Sequence, residues 1–201
     1  AKLRDAGIAV FVVAGNHDAA SQLTKTLRPP DNVHFFSTKH PETRHVEAVD
    51  VAIHGQGFAL RHENDDLAAA FPVAVPGRFN IGLLHTSLDG RVGHAPYAPT
   101  STKILAQKEY QYWALGHVHK REVVSDDPWI VFPGNIQGRD ARETGPKGFS
   151  LVTVENGLVA SVEERPADVL RWAVCRVDID GAVYASEMLD RVRDALATEA
   201  G

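Results

Sequence analysis

Short apolar runs bounded by turn residues dominate the chain. Residues 8–13 (Ile8-Ala9-Val10-Phe11-Val12-Val13) are continuous and mostly β-branched. Such a run predicts a strand buried on both faces, as in a sheet covered by helices. Residues 79–84 and 112–115 read the same way, residues 33–36 form a shorter strand, and residues 46–54 alternate like another. Residues 1–7 read as a helix end stopped by Gly7, and residues 19–27 as a helix stopped by Pro29-Pro30. Two more helices are predicted, over 64–70 with a cap near Asn64 and over 102–109. Residues 121–125 and 129–132 predict a hairpin around Asp126-Asp127-Pro128. Residues 148–154 and 158–163 predict a second across Glu155-Asn156-Gly157, where Asn-Gly favours a two-residue turn. After Pro166 the texture changes to a strand over 170–177 and a helix over 185–197. The expected division is therefore a domain of residues 1–166 and the start of another over 167–201.

Composition narrows the class. Hydrophobic residues make up 44 % and charged residues 23 % of the 201 positions, as in ordinary globular chains and unlike disordered ones. No apolar run approaches the roughly 20 residues of a membrane helix. A single cysteine, Cys175, rules out an intrachain disulfide and fits a reducing cytoplasm. The net charge of −5 argues mildly against strong non-specific DNA binding, although bound cations escape such a count. Ten histidines are many for this length and direct attention to metal ligands.

Three predicted buried strands each end in a polar cluster holding histidine: Gly15-Asn16-His17-Asp18, His85, and Gly116-His117-Val118-His119. Ligands in open α/β sheets bind beyond the carboxyl ends of strands, so the clusters can converge on one site. His117 and His119, two apart, face one side of an extended backbone, and Gly116 permits a tight turn there. Imidazole and amide oxygen suit Mn, Fe or Zn. Two such ions about 3.5–4 Å apart clamp the attacking and leaving oxygens of phosphoryl transfer. His17 is a candidate for transition-state stabilisation or leaving-group protonation, with Asp18 setting its tautomer. His34, His40, His45, His54 and His62 lack such context and read as surface or structural, and His94 lies in a long loop over 86–102.

Through these motifs the sequence resembles the calcineurin-like metallophosphoesterase superfamily. More narrowly it resembles the nuclease subunit of SbcCD-type DNA repair complexes and the YhaO-like exonucleases. The narrower likeness rests on Leu84-His85-Thr86-Ser87-Leu88-Asp89-Gly90, on Tyr112-Trp113-Ala114-Leu115-Gly116-His117-Val118-His119-Lys120-Arg121-Glu122, on Phe132-Pro133-Gly134-Asn135-Ile136-Gln137-Gly138-Arg139, and on Glu143-Thr144-Gly145-Pro146-Lys147-Gly148. The resemblance implies an α/β (α+β) fold, a two-layered β-sandwich flanked by helices with two Mn ions at one edge. It implies that Asn16, His85 and His117 bind one metal, that His119 binds the other, and that His17 contacts the scissile phosphate.

Family members also carry an Asp-x-His motif and a Gly-Asp motif upstream of Gly-Asn-His, and here that motif starts at Gly15. The chain is thus expected to be a piece of a longer nuclease lacking the N-terminal strand and helices, with weak metal binding and little activity alone. An uncovered sheet edge would favour a homodimer. The resemblance implies a 3′–5′ DNA exonuclease working in the cytoplasm with an SbcC-like ATPase. Arg91, Arg139, Arg142 and Lys147 are candidate phosphate contacts, and His94, in the long loop, is either a further substrate contact or a solvated loop histidine. The alternatives are a small-molecule phosphodiesterase or phosphoprotein phosphatase with the same metals, and a catalytically dead binding scaffold.

Overall fold

The computed structural model describes residues 2–21, 28–90 and 97–200. Among them, a six-stranded mixed sheet forms the centre. Its strands are β3 (Glu42–Val46), β4 (Val51–Gln56), β5 (Phe79–His85), β6 (Tyr112–Gly116), β7 (Glu122–Asp126) and β8 (Trp129–Phe132), in the order β3-β4-β5-β6-β8-β7. The inner strands β4, β5, β6 and β8 run parallel, and β3 and β7 close the edges antiparallel. Two smaller sheets accompany it: β1 (Val10–Val12) parallel to β2 (Val33–Phe35), and the hairpin of β9 (Gly148–Glu155) and β10 (Leu158–Pro166). The helices are α1 (Lys2–Asp5), α2 (Asn16–Ala20), α3 (Thr102–Ala106) and α4 (Ala185–Ala200). None of the described helices is long and apolar enough to cross a membrane.

The period-two pattern of the inner strands supplies two cores. Leu84, Trp113, Leu115, Ile130 and Phe132 face one way and pack with Leu67, Phe71, Leu88, Leu105 and Tyr110. Phe79, Tyr112 and Val131 face the other way, against Val152, Val159 and Val162 of the β9–β10 hairpin. Sheet on hairpin is the sandwich. Gly82 permits the central contact, because a Cβ there would lie 2.2 Å from the Trp113 ring. The hairpin turns at Asn156 and Gly157, with φ of 52° and 75°, as a two-residue turn with positive φ at both positions requires.

Several local expectations change. The stretch 46–54 is a corner between β3 and β4, not one strand. Asp50 at its apex is left-handed (φ 51°), and a 3-10 turn, Glu47–Val49, precedes it. The helix over 64–70 shrinks to a 3-10 turn, Leu67–Ala70, whose cap is Asp66, not Asn64: the Asp66 side chain accepts the Ala69 N–H. β1 is only half-buried, and Ile8 is exposed. Among the described residues β1 pairs with β2 alone, so it is not sandwiched. Residues 170–177 form no strand; only Trp172 bridges, to Thr144. The helix expected over 19–27 falls largely outside the described residues.

Candidate metal centre

The parallel register sets His85 beside Gly116 at the carboxyl edge of the sheet, with His117 next along the chain. The end of β1 reaches the same edge because Ala14 accepts the Phe58 N–H at 2.8 Å, just past β4. Asn16, buried at the start of α2, then puts its Oδ1 3.0 Å from His85 Nε2. The His85 and His117 rings meet edge-on, centroids 5.2 Å apart. Phe58 abuts His85 at 5.1 Å and Tyr97 abuts His117 at 5.4 Å, both edge-on. These rings pack against His85 and His117, which stay half-buried, while Asn16 is buried.

Two glycines make room for this cluster. A Cβ on Gly15 would stand 2.6 Å from His85 Cε1 and Nδ1, and one on Gly116 3.0 Å from Nδ1. Gly116 therefore serves as clearance for His85 rather than as a turn residue. The strained backbone is one position on, at His117, with φ of 106°. Strain of this kind, about 1–3 kcal/mol, persists only where the surroundings enforce it and is typical of functional sites.

The histidines share one electrostatic environment. Burial, then the neighbouring His117, depresses the His85 pKa to about 4; His17 and His119 push it the same way and Asp18 opposes them. His85 is thus neutral near pH 7, the form in which imidazole binds metal. His17 is exposed on the first turn of α2. Asp18, read as setting the His17 tautomer, instead accepts the Gly15 N–H at 3.0 Å and fixes the entry into α2.

His119 is held differently. Its Nδ1 lies 2.6 Å from Glu143 Oε1. Glu143 Oε2 accepts the Asn135 side-chain N–H at 3.1 Å and the Arg139 backbone N–H at 2.9 Å. Burial raises the Glu143 pKa, but the hydrogen bonds from Arg139, His119 and Asn135 outweigh it and keep the group ionised. Beside this pair opens a cavity of about 820 Å³ whose walls carry Lys120, Arg121, Arg139, Arg142 and Lys147 against Asp140, Glu143 and Glu164. The chain is acidic overall, yet this cavity is locally cationic. Arg142 is already engaged: its guanidinium grips Asp140 through Nε and Nη2, both at 3.1 Å, and with the Arg142 N–H holds that carboxyl down to about 2. Arg139 contributes its backbone N–H to Glu143. His94 and Arg91 lie outside the described residues.

The donor set fits a divalent first-row ion in part. Two donors bound at about 2.1 Å on neighbouring corners of one octahedral ion stand about 3.0 Å apart, and the Asn16–His85 separation matches. Asn16, His85 and His117 are, however, all neutral donors. Among the described residues no three His, Cys, Asp or Glu side chains gather tightly enough to hold a metal by themselves. The residues that sequence reasoning passed over as site residues are Glu143, Asn135, Tyr97 and Phe58. Glu143 lies 24 positions from His119, and no periodicity links the two.

Residues 1–157 match the profile of the calcineurin-like phosphoesterase superfamily domain. The chain is 38 % identical over 200 residues to a Bacillus subtilis protein named as the uncharacterized metallophosphoesterase YhaO, covering 98 % of this chain and 49 % of that protein. It is 24 % identical over 199 residues to the DNA double-strand break repair protein Mre11 of Haloferax volcanii, covering 96 % of this chain and 43 % of that one. The chain thus spans about half the length of these relatives.

Proposed function

This chain belongs to the calcineurin-like phosphoesterase superfamily, and on that footing we propose that the whole protein is a Mn-dependent, two-metal DNA nuclease of the 3′–5′ exonuclease type. The observation that carries the reading is the joining of Asn16, His85 and His117 at the sheet edge with His119 on the wall of a cation-lined cavity. Asn16, His85 and His117 hold one ion and His119 contributes to a second. Bound divalent ions supply Lewis acidity at a phosphoryl group. His17, exposed on α2, gives a proton to the leaving oxygen. Lys120, Arg121, Arg139 and Lys147 line the cavity and receive the phosphate backbone, and Arg142 joins them by exchanging Asp140 for phosphate. In this reading residues 167–201 lead into an accessory domain, and an SbcC-like ATPase and a second copy of the chain are the partners.

The test compares turnover of duplex DNA, single-stranded DNA and a cyclic nucleotide by the longer parent protein with Mn²⁺ and with chelator. DNA cleavage that needs Mn²⁺ and is abolished by His85→Ala is expected. Preferential hydrolysis of the cyclic nucleotide would move the protein to a small-molecule phosphodiesterase, and full DNA cleavage by His85→Ala would remove the site from the chemistry.

A further inference from the structure

His119 is the ligand candidate farthest from the sheet's support, yet it sits in a closed circuit of hydrogen bonds. Its ring meets Glu143 Oε1. Glu143 Oε2 receives the Asn135 side chain, and the Asn135 backbone N–H returns to the His119 carbonyl at 3.0 Å. Gly134 allows the return: its φ is +77°, and a Cβ there would stand 2.9 Å from that same carbonyl. The loop carrying Glu143 is pinned again from behind. Gln137 Oε1 accepts the Val169 and Leu170 N–H groups at 2.9 and 3.3 Å, and Thr144 bridges Trp172. The carboxylate is therefore fixed on several sides, and His119 is the imidazole it meets among the described residues.

A structural brace alone would not need an imidazole, since Lys120 and Arg121 follow immediately and make stronger partners for a carboxylate. An imidazole has a property they lack. A carboxylate at Nδ1 holds the proton there and leaves the basic lone pair on Nε2. His119 also lies two positions beyond His117, whose ring meets His85.

We infer that Glu143 is a positioning residue: it fixes His119 as the Nδ1–H tautomer and aims Nε2 at a divalent ion. The inference rests on the reading of His119 as a metal ligand. Two readouts separate the two ideas. In the metal-free, ¹⁵N-labelled chain at mildly alkaline pH, ring-nitrogen correlation spectra report the His119 tautomer. Titration with Zn²⁺ alone, which is diamagnetic, then reports ligation through the shift of each ring-nitrogen signal, with His85 as the internal reference.

Wild type is expected to show Nδ1–H at His119. Glu143→Ala should mix the tautomers and raise the Zn²⁺ concentration that shifts the His119 ring nitrogens by about 10–100-fold, leaving that for His85 nearly unchanged. Glu143→Gln keeps the shape and one acceptor oxygen for the Arg139 N–H, so it tests the point even if the alanine variant misfolds. Its amide N–H then donates to Nδ1 and should shift His119 toward the Nε2–H tautomer. An Nε2–H tautomer in wild type, or a tautomer and midpoint unmoved in both variants, overturns the role of Glu143. A Zn²⁺ titration that moves neither His119 nor His85 overturns the inference through the metal reading beneath it, and the tautomer data then show which of the two failed.

Discussion

His85 and His117 stand at the ends of sheet strands and are set by backbone register and by clearances at two glycines, and Asn16, at the start of α2, meets them through His85. His119 and Glu143 stand on loops and are set by side-chain hydrogen bonds. The first half inherits the rigidity of a sheet buried on both faces. The second depends on a few polar contacts near a solvent-filled cavity, where each is worth about 1 kcal/mol net. Packing and polar bonding fail differently when disturbed, so substitutions can tell the two halves apart.

The largest effect is expected at Gly82, beneath the strand half. A methyl group there drives into the Trp113 ring at 2.2 Å, and Trp113 is fully buried. Gly82→Ala should lower stability by about 3 kcal/mol, at the upper end for overpacking, and weaken both halves together. Denaturant titration measures it, and a loss below about 1 kcal/mol would mean that the core yields more easily than its packing implies. Next comes Gly15→Ala. Gly15 has φ of −95°, so the backbone accepts alanine, and only the His85 ring at 2.6 Å objects. The expected outcome is a loss of about 1–2 kcal/mol and about tenfold weaker Mn²⁺ binding read at His85. Gly116→Ala, with 3.0 Å of clearance, should do less on both counts. The reverse order would show that clearance at His85 is not what these glycines provide.

The same contrast explains what the sequence reveals. In β5, β6 and β8 side-chain type follows the pleat, so burial on both faces is written in the composition of each run. Asn156-Gly157 likewise dictates its own turn, because few other pairs accept positive φ twice. The clusters at Asn16, His85 and His117 were legible because strand ends are where parallel sheets bind ligands. Contacts between distant polar residues leave no such trace. Nothing near Glu143 announces His119, and nothing near Asp50 announces a left-handed corner inside an alternating stretch. The strand expected over 170–177 fails for a related reason: a strand also needs a partner backbone, and among the described residues only Trp172 finds a bridge.

A smaller effect separates the loop half. Asn135→Ala removes the 3.1 Å bond to Glu143 and leaves the backbone bond to His119 in place. A cost of about 1 kcal/mol is expected, confined to residues 135–147. Amide hydrogen exchange should quicken there and stay unchanged at the ends of β5 and β6. Equal quickening in both places would mean that the halves form one cooperative unit.

The smallest effect concerns a histidine outside both halves. His54 is fully buried, stacked on Tyr110 with centroids 4.3 Å apart, and bonded to Thr43 through Nδ1 and to Asn80 through Nε2. Burial lowers its pKa; the Asn80 bond opposes the shift and the charge of His45 adds to it. The unfolded chain, with a value near 6.5, therefore binds the proton first as pH falls. Between that value and the lower folded one the unfolded state holds more protons, so stability rises with pH and is lost on acidification. The loss due to His54 is at most about 0.7 kcal/mol between about pH 7 and about pH 6. His85 adds a slope of the same sign, so the measurement is the difference between wild type and His54→Gln in urea titrations at the two pH values. A shallower dependence in the variant is expected, whatever its absolute stability. An unchanged slope would mean that His54 titrates alike in both states, and that its buried stack on Tyr110 opens readily enough to admit a proton.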